Sequence, residues 1–178
     1  MRKLSEIISY LIDHLGAHVL LVGHYFTVSS SDDRRVCTEL MRMHPGCPNL
    51  TQLEHAYNAA EVKAVLSCCD AVLSSRYHAL IAALSQEIPA IAFGWSHKYE
   101  ALLEEVGIPA STIQIGDDSE ATNRTLTSIV QGSQLSDRSR SLIRQRIGLA
   151  NTQFDEVAAM ISGSGGSPPP DGVPKVSA

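Results

Sequence analysis

An α/β fold, with a parallel sheet covered by helices on both faces, is what this chain predicts, and three observations carry it. Short apolar runs of strand length alternate along the chain with segments of helical periodicity. Those runs are apolar at consecutive positions, as in strands buried on both faces. Gly, Pro and Ser separate the two kinds of segment and supply the turns. With 178 residues, 44% of them apolar, the chain is long enough for one layered core.

The elements follow in order. Leu4, Ile7, Ile8, Leu11, Ile12 and Leu15 recur at helical spacing, and Gly16 closes that helix. Residues 18–22 form an apolar strand ending at Gly23. Ser29-Ser30-Ser31-Asp32-Asp33 is a loop whose aspartates read as the cap of a helix over residues 34–43. His44-Pro45-Gly46 is a turn, and residues 50–53 a second strand. A helix over 59–68 leads to a third strand at 71–73. The next helix, 78–86, is apolar almost all round, which predicts burial on most of its sides. Pro89 opens a fourth strand at 90–93, a helix covers 98–106, and a fifth strand covers 112–115. Helices over 121–131 and 136–161 complete a single domain spanning 1–161. Residues 162–178 are rich in Gly, Ser and Pro and are expected to be disordered.

Composition narrows the function. A net charge of −5 without a basic stripe argues against nucleic acid as a partner. No apolar run approaches the roughly 20 residues of a membrane-spanning helix. The first helix, with Asp13 and His14 at its end, reads as an amphipathic helix and not as a signal peptide. Cys37, Cys47, Cys68 and Cys69 match no paired-cysteine metal pattern and read as reduced thiols, which predicts a cytoplasmic setting and no metal.

Ligands of an open parallel sheet bind beyond the carboxyl ends of its strands. Three segments fall there: Gly23-His24-Tyr25, Ser74-Ser75-Arg76-Tyr77-His78 and Gly94-Trp95-Ser96-His97-Lys98. If the third and fourth strands are neighbours, about 4.8 Å apart, then Arg76, His78 and Lys98 share one crevice. Arg76 supplies a planar fork for a carboxylate or phosphate, Lys98 a point charge, and the helix opening at His78 its unpaired N–H groups. Ser74 and Ser75 add small hydroxyl donors. His97, His24 and the ring of Trp95 are further candidates at the same rim. The expected ligand is a small anion carrying both a carboxylate and a phosphate.

Ser75-Arg76-Tyr77-His78-Ala79-Leu80-Ile81-Ala82-Ala83-Leu84, then Ile88-Pro89-Ala90-Ile91-Ala92, then Lys98, resemble the polysaccharide pyruvyl transferase family. Val22-Gly23-His24 and Ser31-Asp32-Asp33 are similar to what the family shows upstream, and the likeness is good over about residues 1–110. The resemblance implies transfer of a pyruvyl group from phosphoenolpyruvate to the hydroxyls of a saccharide, giving a ketal on a polysaccharide or its precursor. It implies two Rossmann-like domains in a glycosyltransferase-B-like arrangement, with the active site between them. Arg76, His78 and Lys98 would then hold phosphoenolpyruvate, with Ser75, His97 and His24 as further binding residues and His78 as general acid. A bound carboxylate and phosphate favour the charged imidazole that such an acid needs. No cofactor is implied.

Against this family, the chain reads as the C-terminal half alone, and the missing N-terminal domain or a partner chain is an expected partner. Two other readings fit the same residues. One is a non-catalytic module binding an anion or a nucleotide sugar. The other is a nucleotide-sugar glycosyltransferase domain, for which Glu100 and Glu104 are weak ribose-binding candidates.

Overall fold

The structure, a computed structural model, describes residues 1–23, 33–53, 57–94, 96–108, 111–132 and 135–163. The segment 164–178, expected to be disordered, lies outside them, as do His24, Asp32 and Trp95.

Among the described residues, helices and strands alternate through the five strands: α1 (Arg2–Asp13), β1 (Val19–Leu21), α2 (Asp33–Met43), β2 (Leu50–Gln52), α3 (Ala59–Leu66), β3 (Val72–Ser74), α4 (Tyr77–Leu84), β4 (Ala90–Phe93), α5 (His97–Glu105) and β5 (Thr112–Ile113). Two helices, α6 (Ser119–Val130) and α7 (Asp137–Gly163), follow. All strand pairings are parallel, as the doubly apolar runs require, and the fold is Rossmann-like.

One sheet was expected, and the structure forms two. β1 pairs with β2, and β3, β4 and β5 pair in that order, with no ladder between β1 and β3 among the described residues. The strands span only two to four residues each, so a ladder has few bonds with which to hold a seam. Helix α1 joins the two sheets instead. Ile7 packs with Ile91, Ile113 and Leu126, while Ile8 packs with Leu40 and Leu50. Adjacent helical residues point about 100° apart. One helix therefore buries one face on each sheet.

Local chemistry sets the helix ends. Asn58 caps α3 in a full capping box with Glu61. Asp118 caps α6, and Ser96 caps α5 by accepting from the backbone N–H of Lys98. Gly16 follows α1 with φ +65°, a conformation glycine adopts without strain. Helix α4 departs from expectation on one side. Ala79, Leu80, Ala83 and Leu84 are buried, but Ile81 is 39% exposed. An apolar composition all round has thus produced one buried face and one open one.

Contacts divide the chain into two compact units. Residues 1–143 hold every strand and the core. From Arg144 onward the second unit contains the remainder of α7, on which Leu149, Phe154 and Val157 are exposed.

Candidate functional site

The parallel register β3–β4 aligns Ser74 with Ala92, so the two strands end within one residue of the same level. The loops that follow them, beginning at Ser75 and at Gly94, therefore leave side by side. Expected neighbours, the third and fourth strands, are neighbours.

Arg76 is the N-cap of α4 and takes extended backbone angles. Its backbone N–H donates to the Ser74 hydroxyl at 3.0 Å, which turns the chain from strand to helix. Its own side chain makes no capping hydrogen bond to the first turn of α4. Ala79 and Leu80 donate back to the Arg76 carbonyl. The opening turn thus keeps the partial positive charge of a helix start beside a guanidinium.

The guanidinium itself has a partner that sequence reasoning did not foresee. Nε donates to Asp33 Oδ2 at 3.3 Å and Nη2 to Oδ1 at 2.5 Å. Asp33, read as half of a helix cap, is the first residue of α2, and its carboxylate reaches Arg76 across 43 positions of sequence. The pair is largely but not wholly withdrawn from water, with the arginine side chain 40% and the aspartate 20% exposed. It bridges the carboxyl end of β3 to the helix that follows β1, at the junction of the two sheets.

The start of α5 is tied to the same loop. Tyr99 donates its hydroxyl to the Ser75 carbonyl at 2.6 Å. Its ring lies nearly parallel to that of Tyr77, with centroids 6.5 Å apart, and Tyr77 meets His78 edge-on at 6.1 Å. This aromatic run fixes α5 against α4. The helix-opening residues on both sides, His78 and Lys98, are exposed, as is Ser75. His97 points elsewhere: its Nδ1 lies 3.4 Å from Glu100 within α5, and its side chain is 82% exposed.

Of the expected residues, then, Ser75, Arg76 and His78 share one turn, and Lys98 lies one residue from the tyrosine that binds that turn. His97 turns along its own helix. The roles of Asp33 and Tyr99 were missed because their partners lie 43 and 24 residues away; Ser31-Asp32-Asp33 stands out as a helix cap and a family-like segment, which does not announce an arginine partner.

A cavity of about 250 Å³ opens at the opposite, amino-end side of β4, bounded by Pro89, Ala90, Ser111 and Ser139. None of the candidate residues lines it. Ser139 there is 1% exposed and shares a 2.9 Å hydrogen bond with Ser136. The cavity lies between α6, the start of α7 and the sheet, and Ser128 beside it donates its hydroxyl to the Thr125 carbonyl.

A model of the polysaccharide pyruvyl transferase family matches residues 1–97, more than half of the chain. The chain belongs to the polysaccharide pyruvyl transferase family. The matched stretch contains Asp33, Ser75, Arg76 and His78 and ends one residue before Lys98. No solved structure matches the chain. Among its described residues no helix is long and apolar enough to cross a membrane.

Proposed function

We propose that this domain binds phosphoenolpyruvate at the carboxyl ends of β3 and β4 and supplies the donor half of a pyruvyl transfer to a saccharide. The observation that supports it best is the coincidence of a guanidinium, a helix start and an exposed imidazole on one turn, Arg76 to His78. An anion beside Arg76 gains a planar two-point hydrogen bond, and its phosphate gains the helix start. Lys98 adds a mobile charge from the adjoining loop.

The chemistry is an addition followed by a displacement. A saccharide hydroxyl oxygen forms a bond to C2 of phosphoenolpyruvate while His78 gives a proton to the C3 methylene, which becomes the methyl group. The hydroxyl proton passes to solvent or back to the imidazole. A second hydroxyl of the same saccharide then displaces phosphate from C2, closing the ketal. Arg76 and Lys98 hold the carboxylate and the leaving phosphate, and no redox step or cofactor enters. The reaction belongs in the cytoplasm, where phosphoenolpyruvate is available, and its acceptor side falls to another domain or chain.

Calorimetric titration of the chain with phosphoenolpyruvate tests the reading, beside an Arg76→Ala/Lys98→Ala double variant. Saturable binding that the double variant loses is expected. A folded wild type that binds none removes the donor site from this domain.

A further inference from the structure

We infer that Asp33 is a positioning residue of the anion site, holding the Arg76 guanidinium by its Nε–Nη2 edge and so fixing the plane in which the group meets a ligand. The inference rests on the reading of Arg76 as an anion-binding residue.

Three features argue for it. The contact is two-point, through Nε and Nη2 to the two oxygens of one carboxylate, and this fixes the guanidinium plane where a single bond leaves it free to rotate. Asp33 is itself rigidly placed, at the first position of α2, where the positive helix end favours a carboxylate. Its helix is anchored by the buried Cys37 and Leu40, so the carboxylate sits on a scaffold and not on a mobile loop tip. An arginine has five N–H donors, and this clamp engages the Nε–H and one N–H of Nη2, the pair that forms its side edge.

A counter-ion that merely screens Arg76 predicts the opposite outcome from a clamp. Removing a screening charge strengthens anion binding, whereas removing a clamp weakens it. Asp33→Asn is the informative substitution, since it keeps the size and helix-starting character of the residue while deleting its charge.

The test combines two readouts on the intact chain. In the first, the Arg76 Nε–H resonance is followed by nitrogen-15 NMR, assigned by its loss in Arg76→Lys. A slowly exchanging signal in the wild type that is lost in Asp33→Asn is expected, and an unchanged signal overturns the clamp. In the second, phosphoenolpyruvate binding is measured by calorimetry. Asp33→Asn should bind about tenfold more weakly, the worth of one charge-assisted hydrogen bond. Asp33→Glu should recover part of the loss, and Asp33→Asn should cost nothing further on an Arg76→Ala background. Equal or tighter binding by Asp33→Asn overturns the inference. If the wild type binds no phosphoenolpyruvate, the donor reading fails by itself, and the Nε–H signal alone decides the clamp.

Discussion

The two ends of α4 face the same electrostatic problem and resolve it differently. A helix start favours negative charge and a helix end positive charge, yet α4 begins at Arg76 and is followed by Glu87. Each misplaced charge has a distant counter-ion. Asp33 meets Arg76 at the start, and Arg140 from α7 meets Glu87 at 2.8 Å after the end. The Glu87 pair is the more withdrawn, with side chains 27% and 21% exposed, and Glu87 takes φ 59°, where glycine is the usual occupant. The residues next in sequence to the two partners, Ile88 and Ser139, are buried. At the start of α4 the ion pair instead borders exposed His78 and Ser75. One pair closes a turn among buried residues; the other lies half-buried beside exposed ones.

The comparison breaks most severely if the helix itself is loosened. Leu80 is wholly buried on the face of α4 that meets the sheet, so Leu80→Ala should cost about 3 kcal/mol of folding stability and weaken both ends together. Denaturant unfolding measures the first effect, and phosphoenolpyruvate titration the second. Unchanged binding in a destabilised Leu80→Ala variant would separate the site from the helix that carries it.

A smaller effect isolates the closing turn. Glu87→Ala removes the ion pair with Arg140 and keeps a side chain at positive φ, which should cost about 1 kcal/mol. Glu87→Gly loses the same pair but relieves the backbone, and should recover most of that cost. Neither should change phosphoenolpyruvate affinity. A tenfold loss of binding in Glu87→Ala would mean that the two ends are coupled through α4.

Most of the framework was legible because it is written in local pattern. The strand at Ala90–Phe93 was read at its observed bounds, and the helix over Asp33–Met43 within one residue, from apolar spacing and turn residues alone. Arg76 and His78 were singled out because a strand followed at once by a helix is where an open parallel sheet binds its ligands. What stayed hidden depends on pairs far apart in sequence. Nothing near Asp33 distinguishes a helix cap from a counter-ion 43 residues before its arginine, and nothing near Glu87 announces Arg140, 53 residues later. The division into two sheets was equally invisible, since the apolar runs of all the strands look alike whether or not their edges meet.

The link between the two loops of the site yields a more modest prediction. Tyr99→Phe keeps the ring beside Tyr77 and deletes only the hydroxyl that donates to the Ser75 carbonyl. The expected cost is about 1 kcal/mol or less in stability, with phosphoenolpyruvate binding weakened by about threefold. If the tie positions Lys98, the loss should vanish on a Lys98→Ala background. Full loss on that background would assign the hydroxyl to Arg76 and His78 instead.

The smallest effect belongs to the amino-end side, where α3 leads into β3. Burial pushes the Cys69 thiol above its ordinary value of 9.0, and the nearby Cys68 and Asp70 push it further in the same direction. The folded protein therefore keeps this thiol neutral to a higher pH than the unfolded chain does. Its contribution to stability is fully present below about pH 9 and is lost as pH rises through the folded-state value. Thermal midpoints measured between about pH 8 and 10.5 should fall less steeply for Cys69→Ser than for the wild type, because serine does not ionise in that range. The same substitution should leave phosphoenolpyruvate affinity unchanged, since the thiol donates to the Val65 carbonyl within α3 and not to any group of the site. Identical pH slopes would mean that the thiolate is accommodated where it stands, and that α3 opens easily enough for water to reach it.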